Sequence, residues 1–184
     1  QNAFANTSSS ILGSKMQGNI VDLLMPPLNA NEIIFSYVSA AIIRSIFVGF
    51  LTYFFIYPFA ELHLYNIVIL FVYSILGAIF LAFLGLIAGI WSEKFDNMSG
   101  ITNFIITPLT FLSGTFYSID RLPEPFYTIS LFNPFYYIID GFRSAFDKDV
   151  SYHLVYGITY ISVLNLIIYL LSYNILKKGW MLKS

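Results

Sequence analysis

Residues Phe111–Phe146 read FLSGTFYSIDRLPEPFYTISLFNPFYYIIDGFRSAF, and this stretch decides the architecture. Asn97–Ile119, which leads into it, runs 23 residues without a charge. That matches the ~20 residues a helix needs to cross a ~30 Å hydrocarbon core. Asp120, Arg121 and Glu124 then arrive together, and Pro123 and Pro125 withhold the backbone donors a continuing helix requires. The span is therefore expected to stop near Ser118. Phe126–Phe132 is apolar but too short to cross, and Asn133-Pro134 supplies an N-cap and a first helical residue for a second short helix reaching about Phe146. Two apolar pieces of this length predict re-entrant or interfacial helices whose backbone is shielded by protein.

Composition sets the same class for the whole chain. Of its 184 residues 58% are hydrophobic and only 10% charged, with a mean hydropathy of +0.75, against the ~25% charged residues of a soluble domain. The expectation is an all-α integral membrane protein with no room for a separate soluble domain. A net charge of −1 argues against a nucleic-acid partner, and the absence of cysteine excludes disulfides, thiolate metal sites and a Cys nucleophile. No signal peptide opens the chain, which starts at Gln1 and is expected to be a piece of a longer protein.

Working outward, residues 1–13 are uncharged and rich in small residues, as suits the end of a span begun upstream. Residues 14–32 form a polar connection. Within it Met16, Ile20, Leu23 and Leu24 share one helical face while Lys15, Gln17 and Asp22 lie elsewhere, and Pro26-Pro27 stops the pattern. This predicts a short amphipathic helix at the membrane surface. Residues 33–59, 64–92, 97–119 and 150–176 read as four spans, 120–149 as the broken outer segment and 177–184 as a tail. In the second of these spans Ser74, Ala78 and Ala82 are spaced by four, and Gly85 and Gly89 repeat the spacing, a small-residue stripe on which another helix packs closely. Placing the tail (Lys177, Lys178, Lys183) inside also places Lys94 and Lys15 inside, five basic residues against Arg121, Arg143 and Lys148 outside.

No catalytic constellation is present. His63 and His153 sit at outer ends of spans, remote from ligand-spaced carboxylates, and Gly13-Ser14-Lys15 is too short to cradle phosphates. All ten carboxylates lie outside the spans, which disfavours an intramembrane enzyme or an ion-coupled carrier. Arg44 is the one charge within a span. Two readings stand: its side chain snorkels to the inner headgroups, or it faces a cavity or another helix.

The order of elements and the wording TPLTFLSGTFYSIDRLPEPFYTISLFNPFYYIIDGFRSAF resemble the signature region of bacterial ABC-2 type permeases. These read as an apolar helix, a small-Gly-x-Phe-Tyr turn, Leu-Pro, an aromatic segment, Asn-Pro and a Gly-Phe-Arg-like close. KMQGNIVDLLMPPLNANE, Lys15–Glu32, is similar to the family's cytoplasmic loop between its second and third helices. The resemblance implies a six-helix permease of which this chain carries four spans, a cytoplasmic coupling helix and two re-entrant outer helices in the cytoplasmic membrane. It further implies a second permease copy and an ABC ATP-binding subunit that carries the ATP and Mg, with no cofactor on this chain. By the same resemblance, Gln17, Gly18, Asp22, Leu23, Leu24 and Glu32 contact the ATPase. Arg44, Gly114, Phe116, Tyr117, Asn133, Pro134, Asp140 and Arg143 are expected to line the pathway or its outer gate. The alternative function is an ATP-independent carrier or scaffold.

Overall fold

The computed structural model describes residues 1–18, 29–59, 62–116, 123–147 and 153–178. Among them every regular element is helical: α1 Asn2–Met16, α2 Ala30–Ile56, α3 Ile67–Trp91, α4 Phe95–Ile101, a π-helical segment Thr102–Ile106, α5 Thr107–Phe111, α6 Phe126–Phe132, α7 Pro134–Arg143 and α8 Leu154–Lys178. Three of these, α2, α3 and α8, are long and apolar enough to cross a membrane, with mean hydropathies of 1.9, 2.8 and 2.0.

Caps set the boundaries of these helices. Asn29 caps α2, the Glu32 carboxylate accepting the Asn29 N–H at 2.8 Å, so α2 begins at Ala30 rather than Ile33. Asn66 Oδ1 accepts from the N–H groups of Val68 and Ile69, both at 3.1 Å, and starts α3 three residues later than hydropathy alone indicates.

The fourth expected span, 97–119, takes a different form. Helix runs from Phe95 and ends at Phe111, eight residues short of the expected limit. Pro108 has no N–H to give the Phe104 carbonyl, and its ring crowds that oxygen. The π-helical segment stands immediately before it, with Thr107 N–H reaching back to Thr102 O. The α5 terminus is then consumed by local hydroxyls: Ser113 Oγ and Thr115 Oγ1 both donate to the Thr110 carbonyl, at 2.5 and 2.8 Å. Gly114, at φ 77°, takes the left-handed turn that closes it.

Helix α3 is the hub, packing against α1, α2, α7 and α8. Its contacts fix direction. Gly85 meets Phe4 and Gly89 meets Ser8, so α1 runs parallel to α3. Asn165 Nδ2 donates to the Leu76 carbonyl, while the Tyr169 ring packs at a tilt against Phe83, so α8 also runs parallel to α3. One end of the bundle therefore gathers the C-termini of α1, α3 and α8 with the N-terminus of α2, where Tyr169 Oη donates to Asn31 Oδ1 at 2.9 Å. The opposite end gathers α5, α6, α7 and the starts of α3 and α8, tied by the Ala145 carbonyl accepting the N–H groups of Tyr65 and Asn66.

Candidate functional site

At the first end, α1 continues beyond the expected limit of residue 13. Lys15 and Met16, assigned from sequence to the start of the amphipathic helix, instead complete α1, which stops at Gln17 and the left-handed Gly18, φ 74°. The remainder of that expected helix, including Asp22, Leu23 and Leu24, lies outside the described residues. Lys15 Nζ donates to the carbonyls of Ile90 and Ser92 at 2.7 and 2.9 Å, so α1 caps the C-terminus of α3 with a cation where the helix dipole is negative. Burial lowers the Lys15 pKa from its ordinary value, opposed by the nearby Glu93 carboxylate. Glu32 is occupied in the α2 capping interaction. A cavity of about 520 Å³ opens between the start of α2 and the end of α8, lined by residues that include Asn29, Asn31, Tyr173 and Lys177.

Gly85 and Gly89 of α3 lie on the seam with α1. Ala78 and Ala82 are buried. A Cβ on Gly85 would fall 2.5 Å from the Phe4 carbonyl oxygen, and one on Gly89 2.8 Å from that of Ser8. Those are backbone atoms, which cannot rotate away. Ser8 Oγ donates to the Phe4 carbonyl at 2.7 Å, which keeps the hydroxyl satisfied in the seam.

At the opposite end the broken segment is stitched to α5. Asn133 caps α7 through Oδ1, which accepts the Phe135 N–H at 3.0 Å, with Pro134 as the first helical residue. Its Nδ2 donates to the Leu109 carbonyl at 2.6 Å. Ser130 Oγ donates to the Leu112 carbonyl at 3.0 Å, and Arg143 Nη2 to the Thr115 carbonyl at 2.7 Å. Ser130 and Asn133 thus take up carbonyls that the ending of α5 sets free, and Arg143 takes one from the turn beyond it. Phe116, beside Thr115, is 73% exposed and stacks on Phe111. Asp140 lies on α7 one turn before Arg143, its carbonyl accepting from Ser144; Tyr117 lies outside the described residues.

Sequence reasoning missed two residues here. Tyr73 is almost fully buried, its ring lying against Gly141 of α7 so closely that no Cβ fits there, and its hydroxyl donates to the Leu154 carbonyl at the start of α8. One residue thereby joins α3, α7 and α8, a contact no local pattern announces. The other is Asn6, to which Arg44 Nη1 donates at 2.8 Å; Arg44 therefore contacts a neighbouring helix. Among the described residues no group of three metal-ligating side chains occurs.

The arrangement is that of a helical membrane bundle with a polar cap at one end and a stitched, aromatic break at the other. The profile of the family described as ABC-2 type transporter matches residues 1–146, ending where the broken segment closes. The chain belongs to that family. This ABC-2 type chain is also 34% identical over 185 residues to the inner membrane transport permease YadH of Escherichia coli K12, covering 100% of this chain and 72% of the relative. The YadH permeases of Escherichia coli O157:H7 and Shigella flexneri match to the same extent. No solved structure matches.

Proposed function

We propose that this ABC-2 chain is the membrane-spanning permease subunit of an ATP-driven exporter in the bacterial inner membrane. It moves an amphiphilic, lipid-linked or drug-like substrate. The composite helix from Phe95 to Phe111 serves as the fourth crossing, about 25 Å long at ~1.5 Å per residue. Helices α6 and α7 are re-entrant and close the outer exit, carrying Asn133, Asp140 and Arg143. The end that holds Lys15, Lys94, Lys177 and Lys178 faces the cytoplasm by the distribution of basic residues. ATP and Mg bind a separate ABC subunit, two permease copies form the pathway, and this chain performs no hydrolysis.

One observation carries the coupling: Lys15 fastens the end of α1 to the end of α3. The segment from Gln17 to Asn29 joins α1 to α2 at that same end. A partner that engages Gln17, Gly18, Asp22, Leu23 and Leu24 therefore pulls on three helices together. Its preference for one conformation is the source of work. The test is affinity purification of the full-length protein in mild detergent. An ABC ATP-binding subunit should co-purify, and Leu23→Asp should abolish it while the permease remains monodisperse. A well-folded permease with no such partner would sink the ATP-driven reading.

A further inference from the structure

The exposed face of α1 is chemically wrong for lipid. Asn2, Asn6, Ser9, Ser10 and Gly13 fall within about a third of the helix circumference at ~100° per residue. That face lies opposite the buried residues Ala3, Phe4, Thr7, Ser8, Ile11 and Leu12. Each polar side chain there is partly or fully exposed. Arg44 joins this stripe from α2 through its bond to Asn6.

The level of the pair in the bundle follows from chain distances. Arg44 is twelve residues, ~18 Å, along α2 from Glu32, and Asn6 is nine residues, ~14 Å, along α1 from Lys15. With Glu32 and Lys15 taken as the inner boundary, both estimates put the pair near the middle of a ~30 Å core, deeper than a snorkelling side chain reaches. Every carboxylate of the chain lies at or beyond the ends of the long helices. A second copy of this chain therefore brings no counter-charge to that depth, and would set its own Arg44 against this one. Asn6 engages Nη1 alone, which leaves the Nε and Nη2 edge of the guanidinium open to a further acceptor. Phe47 and Leu51, three and seven residues on, continue the Arg44 side of α2 and are 61% and 38% exposed. A charged fork with an apolar strip above it matches an anionic head and an acyl tail.

The geometry points to Asn6 and Arg44 as a mid-membrane binding site for the headgroup of an amphiphile whose phosphate head is net anionic, with no cationic group to neutralise it, the guanidinium engaging the phosphate and Phe47 and Leu51 contacting its chain. Arginine recognises phosphate through paired, charge-assisted hydrogen bonds that strengthen away from bulk water. The site names a substrate class for the transport reading and rests on that reading for its physiological meaning.

The test needs no ATPase, so its outcome and that of the co-purification are independent. Binding of dihexanoyl phosphatidic acid and of dihexanoyl phosphatidylcholine to the purified full-length permease is measured by native mass spectrometry. The acid should bind more tightly to the wild type. Arg44→Gln should weaken it at least tenfold, about 1.4 kcal/mol, with little change for the choline lipid. Asn6→Asp is the second variant, since its carboxylate would occupy the guanidinium without removing it, and it should cause the same selective loss. Arg44→Lys should retain part of the affinity. Equal phosphatidic acid binding by the wild type and a folded Arg44→Gln or Asn6→Asp variant would overturn the site. Displacement by inorganic phosphate as efficient as by the lipid would overturn the amphiphile.

Discussion

The α1–α3 seam and the α5–α7 junction hold helices together by opposite means. In the seam, Gly85 and Gly89 bring two backbones into contact, and the stability comes from close packing that lipid cannot supply. In the junction, Ser130, Asn133 and Arg143 reach across to backbone carbonyls. The carbonyls of Leu109 and Leu112 need these partners because the helix stops, and an unpaired carbonyl away from water costs about 1–3 kcal/mol. An unbroken helix needs only a smooth face to be held. A broken one must also be chemically completed by side chains that reach its freed carbonyls.

The largest effect should therefore come from the seam. Gly85→Leu places carbon against the Phe4 carbonyl, which cannot move without displacing α1, and is expected to cost well over about 3 kcal/mol. The folded peak should vanish in fluorescence-detected size-exclusion chromatography of the full-length protein. Gly13→Ala is the contrast, because its Cβ meets nothing within 4 Å, and it should be neutral or slightly stabilising by helix propensity. If both substitutions were tolerated, the seam would not be the rigid partner in this comparison.

The junction should yield by degrees. Asn133→Leu removes the α7 cap and leaves the Leu109 carbonyl unpaired, at about 2–3 kcal/mol. Asn133→Asp keeps an acceptor for Phe135 but turns an oxygen on Leu109, and should fall between the wild type and Asn133→Leu in melting temperature. Arg143→Met removes a single bond from an exposed side chain and should cost about 1 kcal/mol or less. If Arg143→Met were as damaging as Asn133→Leu, the junction would be one cooperative network rather than separate stitches.

Much of the break between α5 and α7 was legible because its signals are local. Asn133-Pro134 starts α7 as the sequence predicts, and Pro123 and Pro125 precede α6. The four-residue spacing of Ser74, Ala78 and Ala82, repeated by Gly85 and Gly89, marked a face of α3, although nothing in it named α1 as the neighbour. The early end of α5 escaped because hydropathy continues through Gly114 and Phe116 while the backbone turns on the hydroxyls of Ser113 and Thr115. Asn29 and Glu32 form a capping pattern readable in the sequence, and the structure shows the Glu32 carboxylate engaged in it. Tyr73, Lys15 and Asn6 were illegible in a stricter sense. Their partners Leu154, Ile90 and Arg44 are between 38 and 81 positions away, and only the packing of α1, α2, α3 and α8 into one bundle brings such positions together.

The smallest effect tests whether the first end of the bundle behaves like the junction, since Lys15 also completes a helix terminus. Burial lowers the Lys15 pKa from the ordinary 10.5, so within the interval below that value the unfolded chain binds more protons than the folded one. Stability attributable to this group therefore rises with pH across that interval and is level on either side of it. The difference in melting temperature between the wild type and Lys15→Met should accordingly widen in favour of the wild type as the pH rises towards 10.5. The neutral amine still donates to Ile90 and Ser92, so capping survives deprotonation and only the cost of burying charge is removed. A difference that shrank over the same range would mean that charge on the α3 terminus, rather than hydrogen bonding to it, is what Lys15 contributes. The first end would then be held by electrostatics, unlike the junction, where a neutral Asn133 and Ser130 serve beside the charged Arg143.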